Sequence, residues 1–201
     1  MSSNIIKLAS AATVIGAIAM ASVAFASPIS TAPGQNKIQC FASGDATCTN
    51  DTNGAKGSAT LDVTGAGAAS VYYTGFNDSI YGVLLSEVSQ LSFMYTGSDP
   101  TAGAPRFSVP IDENNDGFTE AFAFIPAISC NNEQGKVDVI NDPTCLVYYA
   151  PDGVTGWDNW EAFAAAHPTY EVALTDNYVF AVADEVGTWT LNNVVIGKPG
   201  K

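Results

Sequence analysis

The stretch Arg106–Pro126 reads RFSVPIDENNDGFTEAFAFIP, and it decides the fold class. Phe107, Val109 and Ile111 alternate with Arg106, Ser108 and Pro110, and a second short apolar run spans Ala121 to Ile125. Alternate side chains of an extended chain point to opposite faces, so a period of two marks a strand with one face buried. Between the runs lies Asp112-Glu-Asn-Asn-Asp-Gly117, whose Asn, Asp and Gly suit a tight reversal and left-handed backbone. The segment therefore reads as strand, turn, strand.

The same rhythm extends in both directions. Strands are predicted at 58–63, 68–73, 91–95, 106–111, 121–125, 145–149, 170–174, 177–182 and 188–196, with Gly, Asn, Asp and Pro between them. Nine short strands predict an all-β, two-sheet antiparallel β-sandwich, jelly-roll-like in topology, over residues 58–201. One segment breaks the pattern. In Gly156–His167, GWDNWEAFAAAH, Asp158 and Glu161 form a capping-box-like pair, and Trp160, Phe163 and His167 recur at helical spacing before Pro168. A short amphipathic helix is expected near 158–166. Residues 27–57, rich in Ser, Thr, Gly and Asn, are expected to be irregular.

Residues 1–26 read as a signal peptide. Lys7 is the one charged side chain of the leader, an apolar run follows from Leu8 to Phe25, and Ala24-Phe-Ala26 gives the small-residue cleavage pattern. No later stretch is apolar for long enough to span a bilayer. The expected setting is secreted, extracellular or cell-surface. Loss of the leader takes the cations from 7 to 6 against 20 acids, a net charge of −14. A surface of that sign repels phosphate backbones, which argues against nucleic acid as a partner and favours divalent cations.

Export to an oxidising compartment makes the four cysteines a disulfide framework. Proximity favours Cys40 with Cys48 and Cys130 with Cys145, each closing a polar excursion. There is no C-x-x-C motif, and with a single His in the chain a zinc site is poorly supported.

Asp112, Asn114, Asp116 and Glu120 stand at relative positions 1, 3, 5 and 9, with Gly117 at position 6. Oxygen donors at that spacing match the front half of a calcium loop. Position 12 is Ala123, where an EF-hand carries a bidentate Glu, and the flanks are strands. The segment is not an EF-hand, and calcium held by these four side chains stands beside a plain hairpin turn as the alternative. Trp157, Trp160, Tyr170 and Trp189, with Tyr148 and Tyr149, are candidates for stacking on sugar rings; core packing is the other use of such residues.

No G-x-S-x-G, H-E-x-x-H, phosphate loop or dinucleotide fingerprint is present. A Ser/His/Asp triad would require His167, and a glycosidase pair would draw on carboxylates such as Glu87, Glu161, Glu171 and Glu185.

The segments Leu91–Tyr95, Ala104–Val109 and Gly187–Gly197, the last reading GTWTLNNVVIG, carry a resemblance. Together they resemble secreted jelly-roll domains of the carbohydrate-binding-module and concanavalin-like kind, and Trp160-Glu-Ala-Phe163 looks like an element of exported sandwich proteins. The resemblance implies a surface, matrix or glycan-binding role. The expectation is a non-catalytic exported protein that binds a glycan or cell-surface partner, with calcium in the acidic loop. A secreted glycan-active hydrolase and a self-associating matrix or filament subunit are the alternatives.

Overall fold

The computed structural model describes residues 38–50, 58–73, 80–101, 103–130, 135–152, 156–175 and 177–197. The expected leader lies outside the described residues. In chain order the strands are β1 (Ile38–Asn50), β2 (Ala59–Tyr73), β3 (Gln90–Gly97), β4 (Arg106–Asp112), β5 (Ala121–Pro126), β6 (Lys136–Asp138), β7 (Tyr148–Tyr149), β8 (Glu171–Val172), β9 (Phe180–Ala183) and β10 (Gly187–Gly197). Helix α1 (Trp160–Ala166) lies between β7 and β8.

The Arg106–Pro126 hairpin forms as read. β4 and β5 pair antiparallel, with Arg106 opposite Pro126 and Ile111 opposite Ala121. Phe107, Val109 and Ile111 are fully buried.

The expected two-sheet sandwich is replaced by one antiparallel sheet curled into a half-barrel, in the order β6-β3-β10-β2-β9-β4-β5-β7. β1 pairs with β2, and β8 with β4. The reason lies in β2, which was expected as two strands. Its first half, Ala59–Val63, pairs with β10, and its second, Ala69–Tyr72, pairs with β9. Thr64-Gly-Ala-Gly67 looked like a turn in sequence but is a bend inside one long strand.

Glycine makes that bend possible. Gly44 of β1 has φ +63° and lies opposite Gly67. A Cβ on Gly44 would stand 2.1 Å from the Ala66 carbonyl oxygen, and one on Gly67 would stand 2.2 Å from that of Ser43. Two backbones meet where no side chain fits. β1 doubles back at the same place. A straight strand would separate residues eight apart by about 26 Å, yet the Cα atoms of Cys40 and Cys48 are 5.6 Å apart and joined by a disulfide. Folding at the bend brings the two wings of the sheet together, with the rings of Phe93 on β3 and Phe107 on β4 5.0 Å apart.

Part of the segment expected to be irregular, residues 38–50, is thus a strand. Its Thr and Ala content disguised it, although Thr suits a pleated, half-exposed surface well. The runs expected at 145–149 and 170–174 contract to β7 and β8, and that expected at 177–182 shortens and shifts to β9. Helix α1 is capped one residue later than expected. Asn159, in extended backbone, accepts the Ala162 amide at 2.8 Å through its side chain, so Asn159 takes the role assigned to Asp158. The helix buries Trp160, Phe163 and Ala164.

Candidate functional site

The acidic loop sits where β4 ends. Asp112 is 1% exposed, and its carboxylate gathers the backbone that follows it. Oδ1 accepts amides from Asn114 (3.1 Å), Asn115 (2.6 Å) and Asp116 (3.3 Å), and Oδ2 accepts that of Gly117 (2.7 Å). A carboxylate buried this deeply needs hydrogen-bond donors, and these amides supply them. Asn114 Oδ1 accepts the Asp116 amide, and Asp116 Oδ1 accepts that of Phe118. Asn115 and Gly117 adopt φ of +62° and +90°, the left-handed backbone that Asn and Gly tolerate.

Glu120 closes the loop from its far end. It accepts the Glu113 amide at 2.7 Å and the Asn114 side-chain amide at 3.0 Å. The Gly117 carbonyl accepts three donors from the chain beyond β8: the amides of Leu174 and Thr175 and the Thr175 hydroxyl. Carboxylate oxygens of Asp112, Asp116 and Glu120 all lie within 4.8 Å of one another. An all-oxygen donor set of this kind fits a hard cation and not a thiophilic one.

Glu113 faces the other way. It accepts the Tyr149 hydroxyl. Burial, followed by this bond and the Glu113 charge, drives the Tyr149 phenol far above its ordinary range. The Tyr170 phenol is also raised, chiefly by burial and then by the charges of Glu113 and Asp152.

Around these phenols the chain builds an aromatic cluster. His167, at the C-terminal end of α1, stacks on Tyr170 with centroids 4.4 Å apart and planes 18° from parallel. Its edge contacts include Tyr149 at 5.6 Å and Trp157 at 5.7 Å. Asp152 Oδ2 ties the cluster together, 2.9 Å from His167 Nε2 and accepting the Trp157 indole N–H at 2.9 Å. The result is a wall of three partly exposed rings, Trp157, His167 and Tyr170, backed by the buried Tyr149, with the carboxylates of Glu113 and Asp152 against it.

The structure divides the four aromatic residues predicted to bind ligand. Trp157 and Tyr170 meet in this cluster, both partly open to solvent. Trp160 and Trp189, 3% and 0% exposed, are core residues whose ring faces are covered. Trp160 donates its indole N–H to the Leu85 carbonyl at 2.9 Å. Trp189 lies on the inward face of β10, over Gly187, where any side chain would strike its ring. Neither offers a stacking platform. Glu113, Asp152 and His167 were not singled out as a group from sequence. Glu113, lying between two candidate ligands, and His167, at helical spacing with Trp160 and Phe163, each carried a local signal.

Both expected disulfides are present, Cys40–Cys48 and Cys130–Cys145, and fit an oxidising, extracellular environment. The carboxylate of Asp142 approaches the second one to within 4.8 Å. Among the described residues no helix is long and apolar enough to cross a membrane. Comparison of the chain with protein-family models, with curated proteins and with solved structures finds no match in any of the three.

Proposed function

We propose that the chain is an exported, non-catalytic binding protein that takes a glycan or cell-surface ligand at the Trp157–His167–Tyr170 wall. In this reading calcium in the adjoining loop, held by Asp112, Asn114, Asp116 and Glu120, stiffens that end of the molecule. The observation that carries the reading is the position of Glu113. It belongs to the acidic loop by its backbone and to the aromatic cluster by its side chain.

Aromatic faces beside carboxylates supply the two contacts a sugar needs, an apolar surface for its ring and acceptors for its hydroxyls. Both carboxylates are held in place by aromatic partners, Glu113 by Tyr149 and Asp152 by Trp157 and His167, and keep lone pairs for a sugar hydroxyl. The test is a glycan-array screen of the chain from Ser27 onward, with calcium and with chelator. Binding that weakens at least about tenfold in Trp157→Ala and falls with chelator supports the reading. Binding indifferent to Trp157 and Tyr170 refutes the site.

A further inference from the structure

Asp142 stands apart from the site above and has an unusual environment. It is 8% exposed. Its Oδ1 accepts the Thr144 amide at 2.9 Å and the Thr144 hydroxyl at 2.7 Å, whereas its Oδ2 is buried and has no hydrogen-bond partner among the described residues. Burial of an unpartnered carboxylate oxygen is costly, so its position calls for a reason. The neighbours supply one: a carboxylate oxygen and the sulfurs of Cys130 and Cys145 lie within 4.8 Å of one another. Of the two half-cystines, Cys145 is fully buried and Cys130 only partly so.

We propose that Asp142 is an electrostatic guard of the Cys130–Cys145 disulfide against thiol reductants. The attacking species in thiol–disulfide exchange is a thiolate. From solvent it reaches the sulfur of Cys130, forms a new sulfur–sulfur bond there and breaks the old one. The bonding pair leaves as a thiolate on Cys145. Negative charge therefore arrives beside Asp142 and ends on a buried sulfur beside the same carboxylate. Repulsion opposes both the approach and the departure, and a Cys145 thiolate that does form is driven to reseal the bond. Coulomb interaction is strong at this range because little water intervenes.

The test compares two reductants on the oxidised protein and on Asp142→Asn, which retains an oxygen to accept from Thr144. With dithiothreitol, whose attacking form is an anion, the variant should be reduced about tenfold faster. With a neutral trialkylphosphine, whose approach adds no negative charge, the acceleration should be several-fold smaller. Equal acceleration with both would show that the substitution merely loosens the chain and would overturn the proposal. No acceleration with dithiothreitol would overturn it as well. Asp142→Ser, which also retains an acceptor for Thr144, should behave as Asp142→Asn does if the charge is what matters. Reduction of Cys40–Cys48 in the same samples gives the internal reference, and its rate should not change.

Discussion

Asp112 shows how much one side chain can organise. Its two oxygens hold four consecutive amides, one of them, that of Asp116, shared with Asn114 Oδ1. Asp112→Ala should cost about 2–4 kcal/mol in urea unfolding, since a buried network loses its centre. Asp112→Asn should cost less. Tyr149 makes a prediction of different form. Its phenol titrates at 10.0 when unperturbed and well above that in the folded chain, so above about pH 10 the unfolded chain releases a proton that the folded chain retains. Stability from this residue is complete below pH 10 and is lost as pH rises beyond it. Unfolding measured between pH 8 and 11 should show that decline, and Tyr149→Phe should reduce it while lowering stability at pH 8 by about 1 kcal/mol for the lost bond to Glu113.

At the scale of elements, the assignment of the helix cap is directly testable. Asn159→Ala should destabilise the fold by about 1 kcal/mol, whereas Asp158→Ala should fall within about 0.5 kcal/mol of the parent. The reverse result would restore the cap expected from sequence. That cap was misplaced by one residue because Asp and Asn are near-equal caps, and only the extended backbone of Asn159 distinguishes them. The β4–β5 hairpin was legible because Phe107, Val109 and Ile111 are apolar at alternate positions and a turn signal follows them, although β4 is buried on both faces, with Ser108 and Pro110 covered as well. β2 was misread as two strands since Gly65 and Gly67 signal a turn equally well whether the chain reverses or only bends. What settles the difference is the partner strand, and pairing is invisible locally. The acidic loop was legible because its donors are consecutive in sequence. The aromatic wall was not, because Tyr149, Trp157, His167 and Tyr170 meet through β7, α1 and β8, and periodicity cannot tell a covered ring such as Trp189 from an open one such as Trp157.

For the molecule as a whole, the folded β1–β2 hairpin determines how one sheet encloses its core, and the Cys40–Cys48 disulfide staples that fold. Gly67→Val should abolish folding, because its Cβ meets the Ser43 carbonyl oxygen at 2.2 Å; circular dichroism of the purified variant would show loss of the β signal. The 20 acids against 7 cations give the whole chain a net charge of −13, and self-repulsion of that size makes stability sensitive to cations in general. A bound calcium differs from screening in being lost with a single ligand. The most direct measurement is therefore the melting temperature of the chain from Ser27 onward in calcium and in chelator at matched ionic strength, beside Asp116→Ala. At about 10 mM calcium, a site of the affinity usual for extracellular modules should raise the melting temperature by about 3–8 °C in the parent and leave Asp116→Ala unmoved. An equal rise in both, or no rise in the parent, would contradict a calcium site in the loop beside the aromatic wall.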